Sequence, residues 1–465
     1  MATHEEEDAV DPTAEGFDDR LALMDQGSFL GLRALGHQPS FHATWTYDRP
    51  VDLDALRRFN ANLGGTLLGR LVERTPLPGG RHRWVSIDRI PDVEVEDEPR
   101  DRGAVLAWTD EFSDRGTDPE HGPGWRIGVL PLTDGGTAVS FIVPHTLGDG
   151  LCVLQALGDA VEGRTRRPPY PVRGERRRDR VLVSDTLGFV RDVPSVVRAV
   201  AVGVRVARER SAPASAARPP TAPPSTSRPS ASPSEPFRVP VACVRVAQAD
   251  WDAAAARLGG TSNTLVSAFA ARLGERFGRT DDDGIVTLAV PVSVRVEGDT
   301  RANALDSATI RIDPAGLVDD LTALRSATKD ALVAVAAQSH DLMAVLPLTP
   351  LMPAFAVRKG EALAMGAAAL PVGCSNYGDL PPAVMRIDGG DPDDFWVRFN
   401  EPDLVPADLD KIGGQLYVLS GRALGAVFLS TVAHPVGGGL DREELHRHVA
   451  DVLAEFALTA TSVTR

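Results

Sequence analysis

A stretch rich in proline, serine and alanine, residues 211–236, divides this chain of 465 residues into two parts of similar length. Its segment Ala217 to Pro224 alone holds four prolines. Such a composition offers little to bury in a core, so it predicts a flexible or polyproline-like linker. Because each flanking part mixes helical and strand patterns, we expect a mixed α/β (α+β) fold built of two lobes.

The first lobe is assigned to residues 19–183, after an acidic segment, 1–18, that is expected to be disordered. The patterns predict a helix and two strands, followed by a second helix after a pair of glycines. These elements are Leu53 to Leu68, Trp125 to Leu132, Ala138 to Val143 and Leu151 to Val161.

Residues 184–236 connect the lobes through a predicted helix, Thr186 to Arg210, and the linker. Valine and alanine alternate with arginine in this helix, which indicates either a surface helix or one that rests on a membrane interface. Just before it, residues 164–180 hold eight arginines. They form either a solvated loop or a site that attracts an anionic carrier protein or coenzyme phosphate, with Arg176, Arg177 and Arg178 as candidate donor-steering residues.

The second lobe, 237–465, also alternates strands and helices. Its apolar segment 342–371, with prolines at 347, 350 and 353, is interpreted as a lid, a tunnel wall or ordinary core. The predicted strands are 238–247, 285–292, 372–377, 395–399, 415–420 and 424–432; the predicted helices are 248–258, one capped by Thr261 or Ser262 that runs to 277, 317–339 and 442–458.

Charge and cysteine usage exclude several classes of function. A net charge of −15 argues against nucleic acid as the main partner. No apolar run is long enough for a membrane span, and the acidic N-terminus is unlike a signal peptide. The three cysteines are far apart in sequence, which predicts neither disulfides nor a metal site. We therefore expect a cytoplasmic protein, with peripheral membrane contact left open.

The candidate site begins with His145, which follows a predicted buried strand and precedes Asp149 and Gly150. A histidine at a strand end stands on a rigid support, as a reactive side chain requires. Asp149 starts the next helix, where its carboxylate can cap backbone N–H groups. Gly150 allows close backbone approach and can offer its N–H to an oxyanion.

Several separated motifs resemble the CoA-dependent acyltransferase superfamily, which includes chloramphenicol acetyltransferase, condensation domains, plant BAHD enzymes and bacterial wax ester synthase/diacylglycerol acyltransferases. The pattern is nearest to that of the last group, and the resemblance covers about residues 19–460. The matching segments are Leu23-Met24-Asp25, Pro144-His145-Thr-Leu-Gly-Asp149-Gly150, Gly260 to Ala270, Ala289 to Arg295 with Ala302-Asn303, and Cys374-Ser375-Asn376.

The sequence also departs from these motifs. Pro144 stands where HHxxxDG has its first histidine, Thr264 replaces an aspartate of the wax-synthase motif, and the DFGWG motif is absent. Because of these departures, the motifs do not determine which substrate the protein uses.

The resemblance implies two chloramphenicol-acetyltransferase-like lobes that form a pseudo-dimer around an active-site channel. It implies transfer of an acyl group from acyl-CoA or an acyl-carrier protein to a hydroxyl or amine, with ester formation favoured, in lipid or natural-product biosynthesis. The acceptor would be a small or lipid-like molecule. The phosphopantetheine thioester is then a co-substrate, and no bound cofactor or metal is expected.

The resemblance also assigns roles to individual residues. His145 is the expected general base, and a neutral imidazole suits that task. Asp149 is implied to pair with an arginine of the other lobe, for which Arg295 is the candidate; an ordinary surface arginine is the alternative. Asn303, Ser375 and Asn376 are candidate channel residues, although Ser375 and Asn376 can equally close a turn. The alternative function is a catalytically degenerate module that binds a carrier protein or lipid.

Overall fold

The computed structural model describes residues 18–37, 39–210, 237–338, 344–355, 370–401 and 404–463. The predicted disordered N-terminus, apart from Asp18, and the predicted linker 211–236 lie outside these residues. So does part of the apolar segment 342–371. Among the described residues, no helix is both long enough and apolar enough to cross a membrane.

The described helices and strands alternate along the chain. The helices are α1 (Leu23–Leu35), α2 (Leu53–Leu63), α3 (Val105–Ser113), α4 (Gly150–Glu162), α5 (Arg178–Arg210), α6 (Gln248–Arg257), α7 (Ser262–Arg276), α8 (Thr322–Gln338), α9 (Pro406–Lys411) and α10 (Arg442–Glu455). The strands are β1 (Ser40–Tyr47), β2 (Arg70–Glu73), β3 (Arg83–Ser86), β4 (Val93–Val95), β5 (Arg126–Pro131), β6 (Thr137–Pro144), β7 (Val241–Ala247), β8 (Val286–Ser293), β9 (Leu305–Ile312), β10 (Val372–Asp379), β11 (Asp394–Asn400), β12 (Gln415–Ala423), β13 (Ala426–His434) and β14 (Thr461–Ser462).

The elements predicted from apolar spacing are confirmed, with differences at their ends. The first predicted helix ends at Leu63 rather than Leu68, because Gly64 and Gly65 follow and disfavour a continued helix. Helix α5 begins eight residues before the predicted start, at Arg178, because arginine is a good helix former. Helix α8 begins only at Thr322, whose backbone N–H bonds the side chain of Asp320.

The first lobe is built on a five-stranded sheet with the order β11-β1-β6-β5-β4. Its central strands β1 and β6 are buried along their whole length, since both faces of the sheet are covered. Strand β11 comes from the second half of the sequence and pairs antiparallel with β1. The second half of the chain therefore completes the sheet of the first lobe.

The second lobe is built on a seven-stranded sheet with the order β14-β7-β13-β12-β10-β8-β9. Alternate residues of β10 face opposite sides of this sheet. Val372 and Cys374 enter the core beneath helix α7, whereas Gly373 and Ser375 line a cavity on the other face. That other face is turned toward the first lobe.

Apolar contacts join the two lobes. The rings of Phe395 on β11 and Phe428 on β13 lie edge to face, with 6.0 Å between their centroids. Leu419 and Val432 of the second sheet belong to the same buried cluster as the core of the first lobe. The two sheets are therefore held together by a continuous core, which fixes the position of the end of β6 against the second lobe.

Candidate active site

His145 lies immediately after β6, at the junction of the two lobes. Its backbone N–H donates to the carbonyl oxygen of Pro39 at 3.0 Å, which continues the pairing of β6 with the chain before β1. His145 is half-buried, and its ring lies beside Phe399, with 5.7 Å between ring centroids. A side chain anchored in this way is held on a rigid strand end and not on a loose loop.

Asp149 begins helix α4, as the sequence predicts. Its Oδ1 accepts a hydrogen bond from the N–H of Cys152 at 2.8 Å, which caps the helix. The turn before it is closed by a bond from the N–H of Leu147 to the carbonyl oxygen of Pro144 at 2.9 Å. Together these bonds fix the backbone between His145 and Gly150.

The other oxygen of Asp149 bonds the second lobe. Arg295 Nη2 lies 2.7 Å from Asp149 Oδ2, and the N–H of Ala304 donates to the same oxygen at 2.8 Å. Arg295 also donates to the carbonyl oxygens of Arg301 and Ala302, each at 3.0 Å. Both side chains of the ion pair are buried, so this is the pairing that the resemblance implied and Arg295 is not a surface residue.

Asp25 forms a second connection between the lobes. Its carboxylate accepts hydrogen bonds from the N–H groups of Ala302 and Asn303, at 3.0 and 2.7 Å. Burial raises the pKa of Asp25, while the nearby Arg70 and these donors lower it. The sequence drew attention to the segment Leu23-Met24-Asp25 but did not show what Asp25 does.

Arg70 forms the third connection and was missed in the sequence. Its guanidinium donates to the carbonyl oxygen of Thr300 at 2.6 Å and to that of Leu147 at 3.3 Å. It is fully buried and lies over the ring of Trp84, with 4.2 Å to the centroid. The available signal was an isolated arginine in the otherwise apolar run Leu67 to Val72, since such a charge is rarely buried without partners.

A cavity of about 480 Å³ opens beside His145. Its floor is the inner face of the second sheet, across the six neighbouring strands β7, β13, β12, β10, β8 and β9. At ~4.8 Å per strand, this floor is about 24 Å across. The described lining residues are Pro39, His145, Gly150, Leu151, Val239, Val241, Ala289, Pro291, Ser293, Leu305, Ser307, Gly373, Ser375, Asn376, Tyr377, Phe399, Asn400, Glu401, Gln415, Tyr417 and Val432.

Of the residues singled out in the sequence, His145, Gly150, Ser375 and Asn376 line this cavity. Asn376 also closes a turn, because its Oδ1 accepts from the N–H of Gly378 at 3.0 Å. Ser375 forms a hydrogen bond with the hydroxyl of Tyr417.

Asn303 is not among the described lining residues. Its side chain lies against Asp25 and hydrogen-bonds His145.

No arginine of the cluster is among the described residues that line the cavity. Arg176 forms an ion pair with the buried Asp19, and Arg177 lies 3.2 Å from Asp179. For Arg178 only the backbone, at the start of α5, is described. The structure therefore places these residues at the junction of the first lobe with α5.

Tyr377 occupies the space directly above Gly150. A Cβ atom at Gly150 would overlap the Tyr377 ring and hydroxyl, so only glycine fits at this position. The hydroxyl of Tyr377 is buried with no hydrogen-bond partner among the described residues. Burial raises the pKa of this phenol, so its hydroxyl keeps its proton at neutral pH.

Burial lowers the pKa of His145 below its usual 6.5. The Asp149 carboxylate and hydrogen bonds, one of them donated by the ring to the Asn303 side chain, partly offset this effect. The ring is consequently neutral at pH 7 and able to accept a proton.

The cysteines do not form a competing nucleophile. All three are buried, and burial raises the pKa of Cys152 to about 11 and that of Cys374 to about 12. Burial also raises the pKa of Cys243. These groups remain thiols at neutral pH, and the thiol is a poor nucleophile.

No protein-family model matches the sequence, and no curated protein matches it. Solved structures do share its fold. The first condensation domain of the CDA synthetase matches with a TM-score of 0.57 at 14% identity, over 97% of this chain and 98% of that domain.

Two further structures illustrate the range of similar proteins. Polyketide synthase associated protein 5 from Mycobacterium tuberculosis has a TM-score of 0.52 at 17% identity, over 94% of this chain and 98% of its own. The trichothecene 15-O-acetyltransferase TRI3 from Fusarium sporotrichioides has a TM-score of 0.55 at 11% identity, over 93% of each chain. At such low identities the likeness is one of fold, and this chain has the two-lobed α/β fold of condensation domains and chloramphenicol-acetyltransferase-like enzymes.

Proposed function

We propose that the protein is an acyltransferase that moves an acyl group from a thioester to a hydroxyl or amine. The observation that carries this proposal is the neutral imidazole of His145 in the wall of a cavity large enough for small-molecule substrates. The shared fold of acyltransferases and condensation domains supports it.

The reaction we propose has no covalent acyl-enzyme. His145 accepts the proton of the acceptor O–H or N–H as the acceptor attacks the thioester carbon. The tetrahedral intermediate then collapses, the C–S bond breaks, and the proton passes from His145 to the departing thiolate. Gly150, at the N-terminus of α4, offers the positive end of the helix to the developing oxyanion.

Asp149 and Arg295 have a positioning role in this mechanism. Asp149 uses both carboxylate oxygens in bonds to α4, Arg295 and Ala304, and it is not among the described residues that line the cavity. It therefore holds the turn that carries His145 and does not itself meet the substrate.

The lining favours a nonpolar substrate and, with it, ester formation with a lipid-like or small alcohol. Leu151, Val239, Val241 and Val432 present aliphatic surface to the cavity. The donor in this proposal is acyl-CoA or an acyl-carrier protein, and both deliver the same phosphopantetheine thioester.

The experiment that tests the function is thiol release by the purified full chain with a panel of acyl thioesters and acceptors. Replacement His145→Ala removes the base and should lower kcat/KM by about 10²–10⁴-fold. The matched control is His121→Ala, whose side chain is 71% exposed on the surface. Equal turnover by His145→Ala and wild type would remove His145 as the base.

The alternative function is a degenerate module that binds a carrier protein or lipid without catalysis. It requires that side chains fill the space around His145, whereas a cavity reaches this ring. Binding of an acyl-carrier protein without thiol release, for every donor and acceptor tried, would favour this alternative over the enzyme.

Donor attraction by the arginine cluster remains a proposal that rests mainly on Arg177, whose side chain is 75% exposed. Replacement Arg177→Gln should raise the donor KM at low salt and weaken its salt dependence. Arg57→Gln, at a side chain 60% exposed on α2, is the control. Equal donor KM values for both variants at low salt would exclude this role for Arg177.

A further inference from the structure

Helix α5 turns an apolar face away from the protein. Its large aliphatic side chains at 183, 187, 190, 193, 197, 200 and 204 are all exposed. Residues three, four and seven apart lie on the same face of a helix, so these side chains form one continuous stripe. At 1.5 Å per residue, the 33-residue helix is about 50 Å long, and the stripe follows most of it.

The opposite face of α5 is the one that packs on the protein. Asp185 is buried there and bonds Arg83, and Asp192 lies 3.2 Å from Arg20. Ala199 is fully buried on the same side. The exposed stripe is therefore an additional apolar surface that the described residues leave uncovered.

Arginine borders this stripe. Arg191 and Arg198 are exposed and lie seven residues apart, which puts them in one row beside the valines. Between residues 180 and 205 the only acidic residues are Asp185 and Asp192, and both belong to the packed face. This side of the helix is thus apolar and positive, although the chain as a whole carries a net charge of −15.

We infer that the outer face of α5 docks on an anionic lipid bilayer, with the helix lying in the plane of the interface. An apolar stripe bordered by arginine is the pattern of a helix that buries its apolar side chains among lipid headgroups while its cations meet lipid phosphates. The positive charge of this face complements the negative charge of the bilayer surface, and docking buries the apolar stripe away from water.

A second copy of the chain fits this face less well. In an antiparallel pair with two-fold symmetry, the arginine row of one helix would meet the same row of the other. In a parallel pair it would meet the valines at 193 and 200, which offer no carboxylate. Either arrangement leaves the cations without a partner, whereas lipid phosphates supply one.

The test is co-sedimentation of the full chain with vesicles of phosphatidylcholine alone or with 30% phosphatidylglycerol. We expect binding to the anionic vesicles that falls at least tenfold in 0.5 M salt. The double variant Val190→Asp/Val197→Asp should lose binding by at least tenfold, and Arg191→Gln/Arg198→Gln should lose the preference for phosphatidylglycerol.

Matched controls lie on other surfaces. Val333→Asp on α8 changes a valine that is 61% exposed, close to the 59% and 63% of Val190 and Val197. Arg57→Gln/Arg89→Gln removes two exposed arginines elsewhere, and both controls should bind vesicles as wild type does. Thermal unfolding of each variant checks that it is folded.

Wild-type binding to neither vesicle, or undiminished binding by the valine double variant, would overturn the inference. A concentration-dependent dimer in light scattering that the valine double variant abolishes, without vesicle binding, would assign the face to a second copy instead. Thiol release is not a readout here, so the result is independent of the proposed acyl transfer.

Discussion

At the scale of single residues, the site depends on a histidine whose surroundings keep it neutral. His145 combines burial, which lowers its pKa, with a hydrogen bond that its ring donates to the Asn303 side chain and a nearby Asp149 carboxylate, which raise it. Burial is the largest of these effects, so the imidazole is ready to accept a proton across the physiological range.

This balance predicts the pH profile of the proposed acyl transfer, in which His145 is the proposed base. A general base works only when it is deprotonated, so kcat/KM should rise as the pH increases through the pKa of His145 and then level off. Because burial lowers that pKa below its usual 6.5, the midpoint of the rise should lie below pH 6.5. Asn303→Ala removes a contact that raises the pKa and should move the rise to lower pH, whereas an unchanged or opposite shift in the profile would contradict this role for Asn303.

Gly150 gives a second prediction at this scale. In Gly150→Ala the new Cβ overlaps Tyr377, and such overpacking costs about 1–3 kcal/mol of the free energy of unfolding. Gly158→Ala on the same helix is the control, since its Cβ would meet Ala383 at an ordinary 4.0 Å. Denaturant unfolding measures both, and Gly150→Ala should cost less in a Tyr377→Ala background than in the wild-type protein; an equal cost in the two backgrounds would mean that the overlap is not the cause.

At the scale of elements, the turn between β6 and α4 was the part of the site that the sequence indicated best. The apolar strand, the glycines and the cap by Asp149 are local features, and local patterns determine them. The extra strand β11 in the first sheet could not be predicted in the same way, because its pairing with β1 joins residues 348 to 360 positions apart.

The buried ion pair of Asp149, at the start of α4, with Arg295, after β8, predicts a large loss of stability when one partner is removed. Arg295→Met leaves the buried Asp149 without its cation and should lower the free energy of unfolding by about 3–5 kcal/mol. Arg301→Met, a few residues away, removes an arginine that is 41% exposed and should cost less than about 1 kcal/mol. Denaturant unfolding measures both variants. If they lose similar amounts of the free energy of unfolding, the buried pair does not stabilise the protein more than the exposed one.

At the scale of the whole molecule, three side chains of the first lobe converge on residues 300–304 of the second. Asp25 and Asp149 accept hydrogen bonds from its backbone, and Arg70 donates to it. The sequence predicted a partner in the second lobe for Asp149 alone, and that partner was Arg295 from the family pattern, not this segment. Asp25 and Arg70 lie far from this segment in sequence, and no periodicity relates them to it.

Arg70 provides the test of this convergence. In Arg70→Met the carbonyl oxygens of Thr300 and Leu147 lose a donor and the buried Asp25 loses the nearby positive charge, so we expect a loss of about 3–5 kcal/mol in the free energy of unfolding. Arg57→Met on the surface of α2 is the control and should change stability by less than about 0.5 kcal/mol.

The pH dependence of the stability lost in Arg70→Met shows whether the charge on Asp25 causes that loss. Burial already raises the pKa of Asp25 and Arg70 opposes this effect, so Arg70→Met should raise that pKa further. A carboxyl whose pKa is higher in the folded than in the unfolded protein binds its proton more tightly when folded. Stability is therefore lost as the pH rises from the unfolded pKa through the folded one. The deficit of Arg70→Met relative to wild type should accordingly be larger at pH 7 than at pH 4.5, and a deficit that is independent of pH would mean that Arg70 acts through its carbonyl contacts alone.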